Sequence, residues 1–150
     1  MKIRLASITR RRGASKQAAV DELLAEYLKR AARYAPVECM EYASEAALLK
    51  ALERPGRTAA VLVALDAGGK QMSSEELAGF FQQQMERGTQ ELMMAVGPAD
   101  GWSDAMRGRA QLTLSLGKIT LPHELARVVL AEQIYRAFTI LNHHPYHGGH

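Results

Sequence analysis

Two apolar runs constrain this chain more than any other feature. Residues Ala59 to Leu65 and Leu92 to Val96 are apolar throughout, with no polar residue at alternate positions. Asp66-Ala67-Gly68-Gly69-Lys70 closes the first run as a loop signal, and Gly97-Pro98 closes the second. Both runs have the length of strands and are short for helices. A strand without alternation is covered on both faces, the condition of a central strand in a parallel sheet. Parallel neighbours cannot be joined by a tight hairpin, so helical crossovers must fill the segments between such strands.

The flanking sequence supplies those helices. Lys2 to Ile8 reads as a first strand, followed by a basic turn closed by Gly13. Ser15 is a candidate N-cap for a helix to about Arg33, with Val20, Leu23, Leu24, Tyr27, Leu28 and Ala31 on its apolar face. Pro36 ends that helix and Val37 to Tyr42 is a second strand. Ser44 caps a helix that stops before Pro55-Gly56. Ser73 or Ser74 with Glu76 opens another, running to about Arg87. Ser103 starts a short helix, Leu112, Leu114 and Leu116 alternate as in a strand, and Pro122 opens a last helix over about His123 to Leu141. The prediction is one α/β domain over residues 1–150, a mostly parallel sheet with helices on both faces. The last helix is apolar nearly all round and needs burial on more than one side. A second subunit or a central position in the monomer would each provide that.

Composition excludes more than it assigns. No apolar stretch approaches the roughly 20 residues that cross a bilayer, and the amino terminus lacks the layout of a secretory signal. The single cysteine, Cys39, excludes an internal disulfide and fits a reducing compartment, so a cytoplasmic location is expected. The net charge of +3 is too small by itself to identify a nucleic-acid partner. Arg10, Arg11 and Arg12, with Lys29, Arg30 and Arg33, form patches that suit phosphates or simply a solvated face.

No phosphate-binding loop, dinucleotide fingerprint or nucleophile elbow is present. Glycines mark three loops at or just beyond strand ends: Gly68-Gly69, Gly97 to Gly101, and Gly117. Ligands of open α/β sheets bind at that edge. The tail, Asn142 to His150, carries four of the five histidines but no carboxylate or thiol, so no metal is expected. Tyr146 and His147 there offer a platform and hydrogen bonds to an unstacked base.

From Leu65 onward the chain resembles the RlmH family of SPOUT methyltransferases. The resemblance rests on Leu65-Asp66, Gly69-Lys70 and Ser73 to Ala78, then on Leu114-Ser115-Leu116-Gly117-Lys118-Ile119-Thr120-Leu121-Pro122-His123. It continues through Arg127 to Phe138 and ends on His144-Pro145-Tyr146-His147. It implies a carboxyl-terminal trefoil knot within about residues 89–150, a homodimer, and S-adenosylmethionine as cofactor. Carried over position by position, the cofactor would be held by Leu65, Gly97, Leu116, Gly117, Lys118, Ile119, Thr120 and Leu121. The substrate implied is N3 of a pseudouridine in 23S ribosomal RNA on the assembled ribosome. His123, Arg136, Tyr146 and His147 would form the catalytic set, with either histidine as the base. Arg10, Arg127 and His144 would contact RNA, and Arg136 alternatively pairs with Glu132 one helical turn away. Two departures stand out. Gly97-Pro98 replaces the family's usual Gly-Gly, which removes a backbone donor. Thr9-Arg10-Arg11-Arg12-Gly13 replaces a glycine followed by lysine. Another RNA nucleotide as target, or an RNA-binding protein without turnover, are the competing readings.

Overall fold

The computed structural model describes residues 1–8, 18–53, 56, 58–98 and 100–148. Strands and helices alternate along the chain. They are β1 (Lys2–Ile8), α1 (Ala18–Ala31), β2 (Val37–Tyr42), α2 (Glu45–Leu52), β3 (Val61–Gln71), α3 (Ser74–Glu86), β4 (Glu91–Val96), α4 (Asp104–Arg109), β5 (Leu112–Ser115) and α5 (His123–Leu141). The sheet order is β2-β1-β4-β3-β5, and every pairing among these strands is parallel. The two apolar runs lie side by side as β3 and β4, and all six residues of β4 are buried.

Alternation along the strands sends side chains to two separate cores. Leu92, Met94 and Val96 join Ile3, Leu5, Val63 and Leu65 under α1, α3 and α5. Met93 and Ala95 join Ala6, Ile8, Leu62 and Ala64 under α2 and α4. Helices therefore cover both faces of the sheet. Each large apolar side chain so buried contributes about 1.5–3 kcal/mol relative to exposure.

Helix starts follow the sequence signals. The Ser44 side chain accepts from the Ala47 amide at 3.1 Å. Ser73 and Glu76 complete a reciprocal capping box, at 3.0 and 2.9 Å. Ser103 caps α4 through the Met106 amide at 3.2 Å. The cap expected at Ser15 and the turn closed by Gly13 lie outside the described residues, as does Pro55. Helix α1 ends at Ala31, short of Arg33, in a turn where the Tyr34 amide reaches the Ala31 carbonyl.

Two expectations need correction. Asp66 to Lys70 is not a simple loop after β3: the strand continues to Gln71. Leu114 of β5 is paired first with Leu65 and again with Lys70, while the intervening residues bulge out. Gly69 permits this, because a Cβ there would sit 2.6 Å from the Thr113 carbonyl oxygen. Glycine-rich sequence signals a turn, and only the partner strand shows that the backbone re-pairs beyond it. The alternation through Leu116 overshoots as well, since β5 stops at Ser115.

Helix α5 lies against both α1 and α3 over the sheet. Its Phe138 ring is 5.4 Å from Phe81 of α3 and 6.0 Å from Tyr34 just beyond α1. Leu130, Ile134 and Ala137 are fully buried within the one chain. The central position thus accounts for most of its all-round apolar character, and that character alone does not call for a partner. None of the described helices is long and apolar enough to cross a membrane.

Candidate cofactor and catalytic sites

The start of the β3 bulge, at Leu65 to Ala67, and the carboxyl ends of β4 and β5 open onto a cavity of about 590 Å³. Parallel strands all direct their carboxyl ends to the same edge, so the loops after them converge there. Leu65 and Asp66 form one wall, Gly97 and Pro98 a second, and Leu116, Gly117 and Ile119 to His123 a third. Of the eight positions expected to hold cofactor, seven border this space, and Lys118 does not. Its volume falls within the usual range for small-molecule sites, about 300–1,000 Å³.

Local chemistry sets each wall. Gly117 has φ 125, a conformation that favours glycine. The Ser115 hydroxyl accepts from the Gly117 amide at 3.1 Å and donates to the Gly117 carbonyl at 3.0 Å, fixing the turn out of β5. Asp66 pairs with Arg107 of α4 at 2.7 Å. That hydrogen bond, with a second from the Gly68 amide, holds the Asp66 carboxyl below the usual aspartate range. Trp102 is 4% exposed and donates its indole N–H to the Leu65 carbonyl at 2.8 Å. His123 sits at the start of α5 with Nδ1 3.2 Å from the Gly97 carbonyl oxygen. A carbonyl only accepts, so Nδ1 carries the proton and, in the neutral ring, Nε2 keeps its lone pair.

The other three residues of the expected catalytic set assemble elsewhere. Glu132 receives Arg136 at 2.8 Å and the Tyr146 hydroxyl at 2.8 Å. Burial first, then this hydrogen bond, pushes the Tyr146 phenol above its ordinary range, so it remains a donor. The Arg136 guanidinium lies 4.8 Å from the Tyr146 ring centroid and 3.1 Å from His147 Nδ1. Arginine only donates, so His147 Nδ1 accepts, and Nε2–H reaches Glu75 at 2.6 Å. Arg136 therefore does pair with Glu132, and the same guanidinium also holds the tail. Thirteen residues separate His123 from Arg136, a rise of about 20 Å along α5. A second cavity of about 390 Å³, lined by Ser74, Gln133 and Val129, shares Leu116 and Gly117 with the first.

The expected RNA contacts are scattered. Arg127 turns toward β2, with its guanidinium 3.2 Å from Cys39 Sγ and 3.9 Å from Glu41, and only 13% of its side chain is exposed. Cys39 is half-buried and serves as acceptor there. His144 is exposed and accepts the Tyr146 amide at 3.1 Å. Arg10 lies outside the described residues. No three histidine, cysteine or carboxylate residues among the described ones are grouped to hold a metal. Trp102 and Asp66 also border the cavity, although neither is among the site residues expected from the sequence. Their only sequence signal is position, beside glycines at the ends of adjacent strands.

Known proteins place this arrangement in context. The model of the family described as "Predicted SPOUT methyltransferase" matches residues 1–147. The ribosomal RNA large subunit methyltransferase H of Koribacter versatilis is 54% identical over 150 residues, covering all of both chains. The protein of the same name from Gloeobacter violaceus is 42% identical, over 99% of this chain and all of that one. Among solved structures, the SpoU methyltransferase AviRb of Streptomyces viridochromogenes, in complex with AdoMet, matches with a TM-score of 0.50 at 15% identity. That match covers 91% of this chain and 57% of AviRb, and at such identity it concerns the fold alone. Matched along nearly its whole length, the chain belongs to the SPOUT methyltransferases.

Proposed function

We propose that this protein transfers a methyl group from S-adenosylmethionine to N3 of pseudouridine 1915 in 23S ribosomal RNA, on the assembled ribosome in the cytoplasm. Full-length identity of 54% to a ribosomal RNA large subunit methyltransferase H carries the reading. The residues at the cavity fit the cofactor. Leu65, Leu116 and Leu121 give apolar walls for a flat heterocycle, and the glycines let backbone polar groups approach. Bound there, S-adenosylmethionine supplies an already activated methyl group, so the protein's main task is alignment.

The imide proton at N3 has to leave as the new bond forms. His123 Nε2 is the better-placed acceptor, since its lone pair is unspent while Nδ1 is anchored on Gly97. His147 has both nitrogens engaged, by Arg136 and Glu75, and positions the tail. Tyr146, braced by Glu132, offers its ring to the target base. The protein works as a homodimer with a carboxyl-terminal knot. The match of residues 1–147 to the SPOUT methyltransferase model supports the knot. Ile119 and Leu125, 81% and 44% exposed on the segment that leads from the cavity into α5, support the dimer, because a second copy would cover them. A partner copy would also bridge the span between His123 and the tail cluster.

The test is incubation with radiolabelled S-adenosylmethionine and ribosomes lacking this methyl group, followed by mass spectrometry of the RNA. Label on N3 of pseudouridine 1915 establishes the activity. Label on another nucleotide makes it a different SPOUT enzyme, and absence of both label and cofactor binding makes it an RNA-binding protein.

A further inference from the structure

We infer that Trp102 is a positioning residue for the cofactor, acting through Leu65 and Gly97; the inference rests on the S-adenosylmethionine reading above. Four observations converge on this side chain. Its indole N–H is spent on the Leu65 carbonyl, at the point where β3 begins to bulge. Its ring lies so close to Gly97 that a Cβ there would be 2.8 Å from Cε2 and 2.9 Å from Nε1. It is nearly fully buried, yet it borders the cavity. Its backbone is held on both sides, by a turn from the Pro98 carbonyl to the Gly101 amide at 2.9 Å and by the Ser103 cap of α4.

The indole is therefore a clip between the bulge of β3 and the end of the adjacent β4, the two segments that wall the cofactor cavity. Proline at position 98 offers no N–H, so that wall lacks one backbone donor. The Pro98–Gly101 turn delivers the tryptophan to the same wall, where it sets the separation of the Leu65 and Gly97 backbones. Gly97 in turn carries the carbonyl that orients His123. One side chain thereby couples cofactor seating to the orientation of the proposed base.

The substitutions Trp102→Phe, Trp102→Ala, Gly97→Ala and the Gly97→Ala/Trp102→Ala pair test this by calorimetric titration with S-adenosylmethionine and by steady-state kinetics on ribosomes. Trp102→Phe retains a ring but loses the donor, and cofactor affinity falls about three- to tenfold. The KM for ribosomes stays in place, a split that general loosening of the fold would not produce. Gly97→Ala drives a methyl group into a buried ring and weakens cofactor binding more than Trp102→Phe does. Adding Trp102→Ala restores part of that loss, since the methyl group then enters the space left by the indole. Titration of the unsubstituted protein, which has one tryptophan, shifts the indole emission with the calorimetric midpoint. Wild-type affinity in Trp102→Phe, or multiplying losses in the double variant, overturns the inference. Failure of the unsubstituted protein to bind S-adenosylmethionine overturns the cofactor reading and the inference with it.

Discussion

Replacing Gly69 by alanine probes the tightest backbone approach on the sheet, where the bulge of β3 crosses β5. An ideal Cβ would lie 2.6 Å from the Thr113 oxygen, 2.7 Å from its carbonyl carbon and 2.9 Å from the Leu114 nitrogen. Ordinary carbon–oxygen contacts begin near 3.3 Å, so about 0.7 Å must be recovered by moving one strand against the other. All three atoms are backbone in a paired strand, so no rotamer change relieves the overlap. Overpacking of this kind costs about 1–3 kcal/mol. Gly68→Ala is the internal control: its Cβ meets only Asp66 Oδ1, at an ordinary 3.8 Å. Neither glycine has a positive φ, so each substitution also stiffens the unfolded chain, worth about 0.4–1 kcal/mol in favour of folding. The gain is common to both variants and cancels, so they should differ by about 1–3 kcal/mol, with Gly69→Ala the less stable and its melting temperature lower by about 2–12 °C. Urea denaturation followed by circular dichroism, at matched protein concentrations because association shifts apparent stability, measures the difference. Equal stability within about 0.5 kcal/mol would refute the close approach and the double pairing of β5 that depends on it.

Four further outcomes are expected. Ser73→Ala removes the side-chain half of the α3 capping box, the acceptor for the Glu76 amide, and leaves the backbone N–H that reaches Glu76. It should lower stability by about 1 kcal/mol, read as a lower urea midpoint at unchanged slope; an unchanged midpoint would mean that this half of the cap contributes nothing. His123→Ala should lower methylation about 10²-fold or more as a lost base. His147→Ala should impair methylation more than cofactor affinity, and full activity in either variant removes that histidine from the mechanism. Asp66 has a folded-state pKa below its ordinary 3.8 because Arg107 and the Gly68 amide favour its charged form. Its contribution to stability is thus present above about pH 4 and is lost as pH falls through the lower folded value. Arg107→Gln should flatten that acid limb of the stability profile, and an unaltered limb would show that the pair does not act.

The placement of site residues divides by how local their causes are. Ser44, Ser73 and Ser103 cap the helices their spacing announced, because a cap is an interaction over three residues. That the loops bearing Leu65, Gly97 and Leu116 converge on one cavity was likewise within reach of the sequence, since loops beyond parallel strands share one edge. The grouping of the candidate catalytic residues was not. His123 and Arg136 lie on one helix, and its rise separates them, while the tail folds back so that His147 meets Glu75, 72 residues away. Trp102 reads as an incidental apolar residue until Leu65, 37 residues earlier, accepts its N–H.

What the sequence determined by itself was the α/β layering: β4 without polar alternation, helices between strands, and hence a parallel sheet covered on both faces. Those are consequences of periodicity and burial, which act over a few neighbouring residues. The order β2-β1-β4-β3-β5, the second pairing of β3 with β5, the central seat of α5 and the Trp102 clip were decided only in the tertiary structure. Each depends on which distant backbone occupies the adjoining space, and a one-dimensional pattern carries no record of that.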